Sequence, residues 1–92
     1  MFDAASRAVL SGAMNRFELD PREADRFVRG LDARQELVYR LAIKGICPRC
    51  RGDREFNKRT DALTALFRID MAAVLKDAAA LGDWLETKAA AR

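Results

Sequence analysis

The stretch LTALFRIDMAAVLKDAAALGDWL, residues 63–85, carries the strongest periodic signal in the chain. Leu63, Phe67, Met71, Val74, Ala78, Leu81 and Leu85 follow one another at steps of four, four, three, four, three and four, and Leu66, Leu75 and Trp84 widen the stripe. Steps of three and four bring side chains back to one side of an α-helix. The spacing therefore predicts a long C-terminal amphipathic helix whose apolar face needs a partner along its whole length. Asp53 and Thr60 are the two candidates for its N-cap, and residues 87–92 are expected to fray. Trp84 reads as a core residue or as an anchor between two chains.

The segments before it supply that partner. Phe2, Ala5, Val9, Ala13 and Phe17, with Leu10 and Met14, form one stripe on a first helix over roughly residues 2–17. In ELDPRE, Asp20 caps a second helix with Pro21 at its first position. That helix turns Ala24, Phe27, Val28 and Leu31 inward. Gly30 interrupts, and Asp32 caps a third helix with Leu37, Val38, Leu41 and Ile46 facing in. Gly45 is a plausible stop and Pro48 opposes continuation. No stretch alternates as a strand does. The fold class predicted is all-α, a small single-domain bundle of three to four helices over residues 1–92, with a CxxC loop joining two antiparallel helices.

The totals narrow the function. A chain of 92 residues buries only about two-thirds of its unfolded surface, so an oligomer partner or a staple is a natural supplement. The N-terminus lacks the basic and apolar regions of a secretory signal, and no run reaches the ~18 apolar residues of a membrane span. The expectation is a cytoplasmic protein, where a structural disulfide is unusual. There is no histidine, hence no common general base and no common metal ligand. Ser6 and Ser11 have no base to activate them, and no glycine loop suits a phosphate. The chain reads as a non-enzyme.

Charge is concentrated in one place. The net charge of the chain is +3, but residues 40–59 hold seven cations against Asp53 and Glu55, a local net of +5. The segments on either side are each slightly acidic. Arg40, Lys44, Arg49, Arg51, Arg54, Lys58 and Arg59 are therefore the candidate macromolecule-binding residues, suited to an acidic protein surface or to a phosphate backbone. Tyr39 and Phe56 lie at the margins, so base stacking is poorly served. The second and third helices also suggest a helix-turn-helix, whose recognition face would be Arg34, Gln35, Arg40 and Lys44.

Within the basic segment lies CPRC, with the only two cysteines, Cys47 and Cys50. One chain cannot complete a four-ligand zinc site, but two chains could share one. Over these four residues and the hairpin topology, the arrangement resembles the zinc hook of SMC-like DNA-repair ATPases. The resemblance implies a zinc-bridged homodimer, with nearby arginines offsetting the charge of four thiolates. The same residues also suit a redox pair, since Arg49, Arg51 and Arg54 favour the thiolate. The third alternative is a turn that happens to contain two thiols. The function expected is a small regulatory or adaptor protein that binds a protein partner and self-associates. Nucleic-acid binding is the first alternative, and a zinc or thiol sensor the second.

Overall fold

A computed structural model describes residues 20–90, with side chains described from Asp20 to Glu86; the stripe over residues 2–17 lies outside this range. The protein is all-α, with no strand among the described residues. Its elements are α1 (Pro21–Val28), α2 (Ala33–Ile46), α3 (Pro48–Gly52), α4 (Arg54–Leu66), a 3-10 turn (Arg68–Asp70) and α5 (Met71–Ala90).

Side-chain caps start the first four helices. The Asp20 carboxylate accepts from Arg22 N at 3.0 Å, with Pro21 in the first turn. Asp32 accepts from Gln35 N at 2.9 Å. Asp53 accepts from Phe56 N at 2.8 Å. Each satisfies a backbone donor that the first helical turn leaves without a partner. Neither Asp53 nor Thr60 caps the C-terminal helix, which starts at Met71; Asp53 starts the separate helix α4. Thr60 is buried inside α4, where its hydroxyl donates to the Phe56 carbonyl at 2.8 Å.

The central element is α2. It packs most extensively against α5 and also meets α1, α3 and α4. Five consecutive residues, Glu36 to Arg40, are buried, as are Ala42, Ile43 and Ile46. The one-sided inner face expected for this helix is therefore too narrow. Leu41 is only half-buried, and Gly45 does not end the helix, which continues to Ile46. At Gly82 of α5 a Cβ would stand 3.9 Å from the Ala42 carbonyl oxygen of α2.

The long stripe is divided. Leu63 belongs to α4 and Val74, Ala78, Leu81 and Leu85 to α5; all five are buried, while Phe67 and Met71 pack half-buried at the corner. A straight helix over residues 54–90 would run about 55 Å against about 21 Å for α2, leaving much of its apolar face in water. Breaking at Phe67, with φ −111° and ψ 26°, lets both halves pack on α2. Arg34 clasps the corner, its Nε 3.0 Å from Asp70 and its Nη1 2.9 Å from Asp77. The break leaves Leu66 73% exposed and Ile69 fully exposed.

Candidate functional site

The CPRC motif is not in an open loop. Cys47 is extended, with φ −122° and ψ 99°, and caps the five-residue helix α3, its sulfur accepting from Cys50 N at 3.1 Å. Cys47 and Cys50 are joined as a disulfide, and both are fully buried in the core cluster. The other four residues of α3, Pro48, Arg49, Arg51 and Gly52, are exposed. This geometry is at odds with a clamp between two chains, which needs four thiolates at the surface. Here the sulfurs face inward and bond to each other, so a shared zinc would require reduction and outward rotation of α3. Among the described residues no third histidine, cysteine or carboxylate gathers with them as a metal-binding group.

The disulfide also differs from the expectation that no structural disulfide would be present. It is a weak staple. In the chain-entropy description a four-residue loop contributes only about 2 kcal/mol, against about 5 kcal/mol for a hundred-residue loop. Its effect is local to α3.

The seven candidate cations meet different fates. Arg40 is not a surface contact. Its side chain is wholly buried, with Nη2 2.6 Å from Asp25, Nε 2.8 Å from Glu36, and its guanidinium 4.9 Å from the centre of the Phe56 ring. Its Nη1 is buried with no hydrogen-bond partner among the described residues. Arg59 reaches the same carboxylate from α4, giving Glu36 two bonds at 2.8 and 3.0 Å. Arg29 holds Asp25 at 2.8 Å. The chain Arg29–Asp25–Arg40–Glu36–Arg59 thus ties α1, α2 and α4 together with three cations and two carboxylates.

Both carboxyls titrate below their ordinary values. For Glu36 the Arg59 hydrogen bond is the main cause, aided by Arg40 and opposed by burial. For Asp25 burial pushes upward, but Arg40 and Arg29 together outweigh it.

The remaining cations lie further out. Arg51 donates from Nε to the Lys44 carbonyl at 2.9 Å, satisfying a last-turn acceptor of α2, and Lys44 itself is half-buried. Arg49, Arg54 and Lys58 are exposed and form no ion pair among the described residues. The fold adds Arg22, which meets Arg49 across a shallow cleft. Asp20 and Asp53 line the same cleft, so carboxylates lie among the cations there. The helix-turn-helix alternative loses two of its four recognition residues: Arg40 is interior and Arg34 is bound to Asp70 and Asp77.

Sequence reasoning missed the buried network. Its signal was present as two pairs at i, i+4 spacing, Asp25/Arg29 and Glu36/Arg40. Nothing in that spacing shows that one pair is buried. Also missed was a cleft between α2 and α5, lined by Leu41, Ala42, Gly45, Leu75, Ala78 and Gly82, with the carboxylates Asp83 and Glu86 beside them. Leu75 is 52% exposed there. Trp84 is half-buried against the core. No described helix is long and apolar enough to cross a membrane. No family model matches the chain, and no curated protein or solved structure is significantly similar to it.

Proposed function

We propose that this is a non-enzymatic adaptor or regulatory protein that binds a protein partner and self-associates through apolar surface on α5 and the corner before it. The observation that supports this reading most is the exposure of Leu66, Ile69 and Leu75 on a chain this small. Leu66 and Ile69 line one surface cleft at the corner, and contiguous apolar surface marks an interaction site more often than scattered side chains do. The α2–α5 cleft has the small residues that let a partner helix approach closely, beside leucines that it would cover. Nucleic-acid binding through the basic segment is the weaker alternative. Arg40 and Arg59 serve the interior network, and carboxylates interrupt the cations that face outward.

The test is Ile69→Ser combined with Leu75→Glu. Both positions face water, so the thermal midpoint of the dilute, dissociated chain should hold while sedimentation shows loss of self-association and cross-linking shows loss of a partner. The double change Arg49→Ala and Arg51→Ala should leave both intact. Association that survives the apolar substitutions but falls with the arginine changes would overturn the proposal in favour of the basic segment.

A further inference from the structure

We infer that Cys47 and Cys50 form a reversible dithiol–disulfide couple that exchanges with a small thiol, and that its oxidation state decides whether α3 stays closed on the core. The inference stands apart from the partner-binding surface on α5. It begins with the shape of α3. This five-residue helix lies between two extended residues, Cys47 and Asp53, which can act as hinges. Its outer residues are exposed and its inner face presents the cysteines. Besides the disulfide and the burial of both cysteines, the described side-chain bonds at its periphery include Arg51 Nε to the Lys44 carbonyl at 2.9 Å and Asn57 Nδ2 to the Arg51 carbonyl at 2.8 Å. The disulfide is the covalent fastener, and it closes the short loop from Cys47 to Cys50. Breaking so short a loop frees α3 without releasing the rest of the fold.

The chemistry of the turn favours one direction of attack. Cys50 N donates to the Cys47 sulfur at 3.1 Å, a bond that stabilises negative charge at Cys47. Cys47 is thus the better leaving thiolate. When α3 opens, the thiolate of a small thiol attacks Sγ of Cys50. An S–S bond forms between them, the Cys47–Cys50 bond breaks, and Cys47 leaves as a thiolate that takes a proton from water. A second thiol attacks the mixed disulfide, releasing Cys50 as a thiol and the small molecule as its own disulfide. Two electrons and two protons are gained by the chain, and two small thiols are oxidised. Oxidised small-molecule disulfide drives the reverse.

The experiment uses the full chain in glutathione buffers of graded redox ratio, without denaturant. Aliquots are alkylated with N-ethylmaleimide and weighed intact, and parallel aliquots are digested briefly with trypsin. The expected result is two alkylated cysteines per chain under reducing conditions, none under oxidising conditions, and full return on re-oxidation. Cleavage after Arg49 and Arg51 should run roughly tenfold faster in the dithiol form, because proteolysis follows the open population. Cys47→Ser with Cys50→Ser should be cut at the fast rate in every buffer. Should that variant fail to fold, the wild-type comparison alone decides. A disulfide that resists reduction until denaturant is added, a dithiol that does not re-oxidise, or equal cleavage rates in the two states would each overturn the inference.

Discussion

Replacing Glu36 by glutamine tests the buried ion network most directly. Glu36 is 2% exposed and accepts from both Arg40 and Arg59. In the amide, one oxygen can still accept from the two Nε donors, but the other position becomes a donor facing Arg59 Nη2. Arg40 keeps its full charge, has no exposed surface, and is left with Asp25 as its one anionic partner. Removing one member of a buried pair costs about 3–5 kcal/mol because the other charge stays uncompensated. The lower end applies here, since Arg59 is 39% exposed and water can relieve it. A loss of about 3 kcal/mol is a large share of the roughly 5–14 kcal/mol available to a domain of this length. It should lower Tm by roughly 12–24 °C. Differential scanning calorimetry and urea unfolding measure both quantities. Replacing the pair together, Glu36→Leu with Arg40→Met, should come closer to wild type than Glu36→Gln, because no buried charge is left alone. A Glu36→Gln protein within 1 kcal/mol of wild type, or a double variant worse than the single, would refute the buried network.

Acid stability follows from the same residues. Glu36 and Asp25 are held below their ordinary values of 4.5 and 3.8. Depressed carboxyls add stability that is fully present above those values and is lost as pH falls through the lower folded ones. The acid limb of a stability–pH curve should therefore be shallower in Glu36→Gln than in wild type. Leu81→Asp places a carboxylate at a fully buried α5 position and should unfold the protein, read as loss of helical circular dichroism. Asp53→Ala removes the α4 cap and should lower stability by about 1 kcal/mol in urea unfolding, with the helix retained. Ile69→Ser should leave the Tm of the dilute, dissociated chain unchanged, since that side chain lies wholly in water there.

The sequence by itself determined the helical class, part of the inward face and three of the caps. Leu63, Val74, Ala78, Leu81 and Leu85 are inside because a 3.6-residue period fixes which side chains share a face, whatever the partner. Asp20, Asp32 and Asp53 cap because a short carboxylate ahead of a helix reaches its own backbone, a local matter. Tertiary structure decided the rest. The apolar stripe is the same whether the helix runs straight or turns at Phe67, and only the short length of α2 favours the turn. Arg40 and Arg49 look alike as cations in one basic segment. One is interior and one exposed because α2 is surrounded by the other helices and α3 lies at the edge. Likewise, spacing allows Cys47 and Cys50 to face a second chain or the core. Packing of α3 between α2 and α4 turned both sulfurs inward. Period and capping act within one or two turns of helix, whereas burial of a charge depends on residues far away in the chain.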